Sequence, residues 1–437
     1  MRKVVGTVLA SMMLLTGCSG GGKTSGEEKT VSISVMQADS FLKNAAAKFQ
    51  EANPNIKIEI KEHMATNTAG EGAMSEAISQ ADLEKYVQTV STQAMSGKGS
   101  DIIMMQSLPQ DKFVDKKLLV NLYDLMKKDT SFDQNQYYTN ILKHSQNGDG
   151  LYAMPFNFTL EAISGNTDLL SKANITIKDD TWTWEQFREI SKKLREQKGK
   201  DYFAFINVFP NQLMAEYVAD NYGELVKDGK GNFDTDLFRD MMRQIKSLYD
   251  EEVLQAEFTY DYSKALFAKS GLYDVQSALM MMLTPDSKLF QKPTANGKSS
   301  GGVFQTYLTL GINSKSKVQD EAWQFMKFLL SDEMQSSPEL KSLPISKSVL
   351  ENMLKEQQEQ INNGILKMPK GKPSKEQVAD AIAAMDKLIA GAGNKSTGDM
   401  KVQSIAMEEF ESYMSGQKSA EEVSKLIQNR VNTYLGE

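Results

Sequence analysis

The sequence contains almost no cysteine and almost no histidine. Its 437 residues include one cysteine, Cys18, and two histidines, His63 and His144. One cysteine cannot form an internal disulfide, a zinc knuckle or an iron–sulfur site, and two distant histidines leave little material for a histidine-based metal cluster. We therefore expect no metal and no cofactor, and the position of the lone cysteine needs its own explanation.

Basic charge and local catalytic motifs are also scarce. The 50 lysines and arginines are outnumbered by 57 acidic residues, and the resulting net charge of −7 argues against a nucleic-acid partner. No glycine-rich phosphate loop, G-x-S-x-G elbow or H-E-x-x-H motif occurs, so we expect no enzyme. With 40% hydrophobic residues, the chain can form sizeable cores, and its length predicts two to three domains.

The N-terminal residues have the pattern of an export signal. Arg2 and Lys3 precede an apolar run at 4–15, which is shorter than the roughly 20 residues of a membrane-spanning helix. The run ends in LTGC (15–18), which resembles the lipobox of bacterial lipoproteins. We predict a signal peptide at 1–17, a lipidated Cys18, and a flexible tether at 18–29. The protein is then expected to be lipid-anchored at the extracellular face of the cell membrane.

Apolar periodicity after the tether predicts alternating strands and helices. Residues 31–35 and 56–60 alternate with a period of two, and 41–52 have helical spacing, which together predict a parallel βαβ unit. We expect a loop at 66–80, a helix at 83–94 and a buried strand at 101–105. Near the C terminus, two helical stripes at 378–389 and 423–435 are expected to flank a loop at 391–398.

Eight segments occur in an order that matches a known family. They are FQEANPNIKI (49–58), SGKGSDII (96–103), LLVNLYDL (118–125), GLYAMP (150–155), TWTWEQF (181–187), GINSKSK (311–317), EAWQFMKFLL (321–330) and LPISK (343–347). In this order they resemble bacterial extracellular solute-binding proteins of family 1, the group that includes maltose-binding protein, although Ser100 stands where that family usually has proline.

The resemblance implies a two-lobed α/β fold, in which each lobe is a mainly parallel sheet flanked by helices. Lobe 1 would comprise 30–154 plus 305–345, and lobe 2 would comprise 155–304 plus 346–437. Hinge crossings are expected near 154–157, 306–312 and 343–346. Ligand would bind in the cleft beyond the ends of the strands, and hinge closure would trap it.

The family placement also selects candidate ligand-binding side chains at the cleft. These are Gln37, Asp39, Gln106, Asn157, Phe158, Tyr260, Tyr273, Gln305 and Tyr307. Amide and carboxylate groups beside aromatic rings suit a neutral ligand that is rich in hydroxyl groups.

The tryptophans allow a sugar-stacking or a structural interpretation. Thr183 can cap a helix with Gln186 in a capping box, and Trp184 would then begin its buried face. The spacing of Trp323 with its apolar neighbours predicts a core position. We favour the structural interpretation for all three tryptophans, including Trp182.

By resemblance, the protein is a monomeric receptor that delivers a carbohydrate, expected to be an oligosaccharide, to the permease subunits of an ABC importer. A non-sugar solute such as a peptide or polyamine remains an alternative. Two further alternatives are a glycan-processing enzyme, which would need paired carboxylates, and a surface adhesin.

Overall fold

The computed structural model describes residues 28–64, 80–294, 297, 301–368, 371–396 and 399–436. The predicted signal peptide, Cys18, most of the tether and nearly all of the predicted loop at 66–80 lie outside the described residues.

The strands range from two to ten residues in length. In chain order they are β1 (Lys29–Val35), β2 (Ile56–Glu62), β3 (Ile102–Met104), β4 (Met154–Pro155), β5 (Asn157–Asn166), β6 (Val226–Lys227), β7 (Lys230–Gly231), β8 (Phe267–Leu272), β9 (Ser287–Phe290), β10 (Gly302–Gln305), β11 (Thr309–Ile312), β12 (Leu343–Pro344) and β13 (Ala392–Lys395).

The helices surround these strands. In chain order they are α1 (Ser40–Ala52), α2 (Gln80–Ser96), α3 (Gln110–Asp115), α4 (Leu122–Lys128), α5 (Thr139–His144), α6 (Thr167–Lys172), α7 (Trp184–Lys198), α8 (Pro210–Asp220), α9 (Tyr222–Leu225), α10 (Asp236–Asp250), α11 (Val275–Met282), α12 (Gln319–Leu329), α13 (Asp332–Gln335), α14 (Lys347–Asn362), α15 (Lys375–Ala390), α16 (Met400–Met414) and α17 (Ala420–Gly436). Within the described residues, none of them is long and apolar enough to cross a membrane.

The first sheet has the strand order β2-β1-β3-β11-β4. β1 is parallel to both β2 and β3, which confirms the predicted βαβ unit, whereas β11 is antiparallel to β3 and β4. Alternating apolar residues of β1 are fully buried, as the period-two pattern requires. This sheet therefore uses strands from residues 29–155 and one strand that returns at 309–312.

The second sheet is built around β5 and has the order β12-β5-β10-β13, with β8 and β9 also paired to β5. In the described part of the chain, the four partners of β5 are antiparallel to it, and the pair β10 and β13 is parallel. The expectation of a mainly parallel sheet is therefore wrong for this half. The chain runs away from the first sheet along β5 and runs back toward that sheet along the strands that pair with β5. These strands are therefore antiparallel to β5.

The segment predicted as a loop at 391–398 contains a strand instead. β13 lies alongside β10, because Gly301 and Gly393 let two backbones approach closely. A Cβ on Gly301 would lie 2.6 Å from the carbonyl oxygen of Gly391, and its φ of +93° also favours glycine. The segment has no apolar alternation, so periodicity could not reveal this strand. The predicted helical stripes at 378–389 and 423–435 lie in α15 and α17, but α16 lies between β13 and α17 and was not predicted.

Three clusters of buried apolar residues accompany the sheets among the described residues. One extends from the first sheet to α11, α14 and α15, and another lies between the second sheet and α7, α8, α10, α16 and α17. A smaller one packs α2 and α3 against β3. The chain passes from the first sheet to the second between β4 and β5, and it returns between β10 and β11. β12 then pairs with the first residues of β5. These three crossing segments lie side by side.

Candidate functional site

A cavity of about 380 Å³ opens where the crossing segments meet the first sheet, and we call it the hinge cavity. Six of the nine predicted residues line it: Gln37, Asp39, Gln106, Asn157, Tyr273 and Tyr307. Gln37 and Asp39 follow β1, and Gln106 follows β3, so both neighbouring parallel strands present polar side chains at the same edge of the sheet.

A second cavity of about 220 Å³, the middle cavity, adjoins the hinge cavity on the side of the second sheet. The two cavities share Thr159, Tyr273 and Tyr307 in their walls. Gln305, another predicted residue, lines the middle cavity together with the charged residue Lys292. The structure thus brings seven of the predicted residues to two adjoining cavities.

The alternation of β5 decides which of its side chains reach these cavities. Asn157, Thr159 and Glu161 line them, whereas Phe158 is fully buried on the opposite face and packs edge-on against Tyr138 at 5.6 Å. Successive strand residues point to opposite faces, so Asn157 and Phe158 cannot both face one cleft. The structure therefore places Phe158 in the core rather than at the site.

Sequence reasoning missed Thr159, Glu161 and Lys292. Thr159 and Glu161 could have been predicted by counting every second residue along the strand from Asn157. No pattern in the sequence around Lys292 indicates its position in the site. The buried Oγ1 of Thr159 has no hydrogen-bond partner among the described residues, so it is a candidate group for ligand binding.

Asn157 has a second role, because its buried amide joins the crossing segments. Its Oδ1 accepts hydrogen bonds from the backbone N–H groups of Leu308 at 2.9 Å and Tyr307 at 3.3 Å. Its Nδ2 donates to the carbonyl oxygen of Leu340 at 3.2 Å. The amide therefore already bonds to backbone on two other segments, which leaves little hydrogen-bonding capacity for a ligand.

Gln335 forms a similar set of bonds behind the hinge cavity. Its Nε2 donates to the carbonyl oxygens of Phe156 at 3.1 Å and Leu329 at 3.0 Å, and its Oε1 accepts from the N–H groups of Ile345 at 2.9 Å and Ser346 at 3.2 Å. Only 1% of Gln335 is exposed. Two buried side-chain amides thus hold the crossing segments in register.

A charged network forms the floor of the middle cavity. The Nζ of Lys292 lies 2.6 Å from carboxylate oxygens of both Glu161 and Asp220. Burial lowers the pKa of the Lys292 ammonium, but the attraction of these carboxylates and Glu216 outweighs it and holds that pKa above its usual range. Glu216 also pairs with Lys269. Three carboxylates at this floor therefore share two cations, and each carboxylate forms an ion pair with a lysine.

The network continues to the tyrosine that separates the cavities. Gln305 donates through Nε2 to Glu161, and the hydroxyl of Tyr307 donates to Oε1 of Gln305 at 3.0 Å. The Tyr307 side chain is 38% exposed and Tyr273 is 43% exposed. These bonds hold the Tyr307 ring in place while part of it stays accessible to a ligand.

Two other predicted residues have particular positions. Asp39 is the N-cap of α1, where its Oδ1 accepts from the N–H of Leu42 at 2.9 Å, and it is exposed at the hinge cavity. Tyr260 is 86% exposed and packs edge-on against Phe258, but it lines neither the hinge nor the middle cavity. The structure does not bring Tyr260 to the other predicted residues.

The structural interpretation of the tryptophans is confirmed. Thr183 and Gln186 form the predicted capping box at the start of α7. Trp184 is 5% exposed and packs against Tyr217, although part of it reaches the wall of the middle cavity. Trp323 is also 5% exposed, and Trp182 is buried.

Other cavities and clusters do not collect the predicted residues. A cavity of about 430 Å³ between α2, α3 and the start of α16 contains none of the nine. Among the described residues, no group of three or more His, Cys, Asp and Glu side chains is arranged to hold a metal ion.

Comparison with known proteins places these features in a family. A sequence model described as bacterial extracellular solute-binding protein matches residues 34–336. The fold is similar to that of the sugar-binding protein MalE from Xanthomonas citri, with a TM-score of 0.61, 15% identity, and coverage of 93% of this chain and 98% of that chain.

Two further solved structures are similar in fold. An oligosaccharide periplasmic-binding protein, described as putative, from Synechococcus sp. MITs9220 has a TM-score of 0.60 and 16% identity, with 93% of this chain and 99% of that chain covered. An ABC substrate-binding protein from Listeria monocytogenes, solved in complex with cycloalternan, has a TM-score of 0.56 and 16% identity at the same coverage.

These likenesses share a two-lobed architecture, which agrees with the two sheets and the crossing segments described above. The family match extends over more than half of the sequence. The chain therefore belongs to the bacterial extracellular solute-binding proteins, a family of substrate-binding proteins rather than of enzymes.

Proposed function

We propose that this protein captures a neutral carbohydrate in the hinge and middle cavities and delivers it to an ABC importer. The observation that carries the proposal is the mixture of groups at the two adjoining cavities. Partly exposed rings of Tyr273 and Tyr307 stand beside amides and carboxylates of Gln37, Asp39 and Gln106. Rings offer faces to the C–H surfaces of a sugar, and the polar groups can bond to its hydroxyls.

The ion pairs of the middle cavity disfavour a polycationic ligand. In the middle cavity, Glu161 and Glu216 are paired with Lys292 and Lys269. A polyamine would need several carboxylates without cations nearby, whereas at this floor each of the three carboxylates already forms an ion pair with one of two lysines. The solved relatives named for sugars or oligosaccharides support the same ligand class.

The proposed mechanism is closure of two lobes around the ligand. We assign lobe 1 to 30–154 plus 305–345 and lobe 2 to 155–304 plus 346–437, with the crossing segments as the hinge. A ligand that contacts both lobes only in the closed state shifts the equilibrium toward that state. The hinge cavity has walls from both sheets, which supports this mechanism.

Binding to a panel of oligosaccharides, a tripeptide and spermidine tests the ligand class. We expect one sugar to bind by calorimetry, to change tryptophan fluorescence and to reduce the radius of gyration in solution scattering. Tyr307→Ala should weaken that binding about tenfold, for a loss of roughly 1.4 kcal/mol. Ile365→Ala is the control, since Ile365 is 71% exposed and lines neither cavity. Binding of the peptide or spermidine alone would refute the carbohydrate assignment.

Attachment to the membrane is part of the proposal. We propose that Cys18 carries the lipid, that the segment from Cys18 to the start of β1 at Lys29 is the tether, and that the monomeric receptor meets permease subunits at the extracellular face. It would have no catalytic activity, so the bound oligosaccharide should be recovered uncleaved. Cys18→Ala should release the protein from the membrane fraction, and retention there would contradict the lipid anchor.

A further inference from the structure

A third cavity extends the site along the second sheet. This outer cavity has a volume of about 640 Å³, and it shares Phe205, Glu216 and Lys269 with the middle cavity. The two spaces therefore adjoin at these side chains. The Glu216–Lys269 pair is partly exposed, with 33% and 38% of the respective side chains accessible. Such a pair contributes about 0–1 kcal/mol, so a ligand can bond to both groups at little cost.

β8 shows how long the combined space is. Phe267, at the start of β8, lines the outer cavity, and Tyr273, just after its end, lines the hinge cavity. Six residue steps along a strand span about 20 Å. Lys269 lies between them and faces both the middle and the outer cavities. The three cavities therefore form a row that is longer than one sugar ring.

The far end of this row carries an exposed aromatic side chain on an ordered loop. Tyr262 lines the outer cavity and is 63% exposed. Asn207 fixes the loop, because its Nδ2 donates to the carbonyl oxygen of Thr259 at 2.8 Å and to the Tyr262 hydroxyl at 3.1 Å. Its Oδ1 also accepts from the N–H of Thr259 at 2.9 Å. Asn207 has a φ of +56°, a conformation that asparagine tolerates better than most residues.

We propose that the outer cavity is a distal subsite for a linear glycan, with Tyr262 as the ring on which its far units stack. The first units occupy the hinge and middle cavities, and the chain passes the Glu216–Lys269 pair, whose charged groups bond to its hydroxyls. The proposal rests on the carbohydrate function proposed above, and it adds chain length as the property that the site selects. Tyr260 and Phe258 lie beyond Tyr262 on the same loop.

The test compares affinities across chain length. Linear oligosaccharides from disaccharide to hexasaccharide, of the linkage that binds in the panel, are titrated into the wild-type protein, Tyr262→Ala and Tyr262→Phe. We expect the affinity of the wild-type protein to rise with glycan length. Tyr262→Ala should weaken the binding of the long glycans about five- to tenfold and leave the binding of the short ones unchanged. Tyr262→Phe keeps the ring and loses only the hydroxyl bonded to Asn207, so the gain with length should persist.

The outcomes separate this subsite from the function itself. If disaccharides bind and longer chains bind no better, or if Tyr262→Ala weakens all lengths equally, the distal subsite is refuted and the carbohydrate function stands. If no glycan of any length binds, both proposals fail.

Discussion

Asn157 and Asn166 stand at the two ends of β5 and allow one substitution to be compared at two sites. Asn157→Asp keeps the oxygen that accepts from Tyr307 and Leu308, but it removes the Nδ2 donor to the Leu340 carbonyl. Asn166 is an exposed N-cap of α6 that only accepts, from Leu169 N–H at 2.8 Å. Aspartate caps a helix as well as asparagine, so Asn166→Asp is the matched control.

The hydrogen bonds that each substitution removes determine how much stability should be lost. Depriving one buried carbonyl of its donor costs about 1–3 kcal/mol, so Asn157→Asp should lower the free energy of unfolding by that amount. Gln335→Glu deprives two carbonyls, those of Phe156 and Leu329, and should cost about 2–6 kcal/mol. Its control is Gln186→Glu in the capping box, where either residue serves.

The loss should also depend on pH. Burial raises the pKa of each introduced carboxyl above its value in the unfolded chain, about 4. The protonated carboxyl can again donate a hydrogen bond, so the deficit should be small in acid and grow as pH rises through the raised pKa. Urea denaturation at several pH values measures it. If Asn157→Asp and Gln335→Glu each lose less than about 0.5 kcal/mol of stability at neutral pH, as little as their controls lose, the role of the two amides is refuted.

Three further predictions concern stability. Lys292→Met leaves buried carboxylates without their cation and should lower the free energy of unfolding by about 3–5 kcal/mol. The control Lys246→Met breaks only a surface ion pair and should lower it by less than about 1 kcal/mol. Thermal melts of both variants check this. Burial, and to a lesser extent the charge of Lys61, lowers the pKa of His63 in the folded protein. The stability that neutral His63 contributes is therefore present above about pH 6.5 and is lost as the pH falls through the lowered pKa. The urea midpoints at pH 7.5 and pH 5 should differ less in His63→Gln than in the wild type, and an unchanged difference would contradict this. Thr183→Ala should cost about 1 kcal/mol in urea denaturation, with Thr183→Ser close to wild type as the control.

Much of the first half of the fold could be predicted because its signals are local. The alternation in β1 and β2 and the helical spacing of α1 each identify one element, and the helical crossover between the two strands makes them parallel. The capping box at Thr183 is equally local. The second sheet had no such signal. Its antiparallel pairing follows from where distant segments return to β5, and β13 depends on two glycines about 90 residues apart in the chain.

The candidate site shows the same division between local and distant information. Family placement brought Gln37, Gln106 and Tyr307 to one cavity, although they come from three separate parts of the sequence. It erred at Phe158 because it treated two consecutive strand residues as equivalent. Lys292 could not be found, since its role depends on carboxylates that lie more than 70 positions away.

The position of Asn157 affects how ligand affinities of variants should be interpreted. Asn157 accepts from the N–H of Tyr307, whose hydroxyl donates to Gln305, so the amide fixes the backbone beneath a ring proposed to contact the ligand. A weaker affinity in Asn157→Asp is therefore expected without any lost ligand contact. A positional effect of this kind should reduce affinity by the same factor for short and long glycans, because it acts at the hinge cavity that every glycan occupies. Tyr262→Ala should instead affect only the long ones. The dependence of affinity on glycan length thus distinguishes a residue that positions the site from one that extends it.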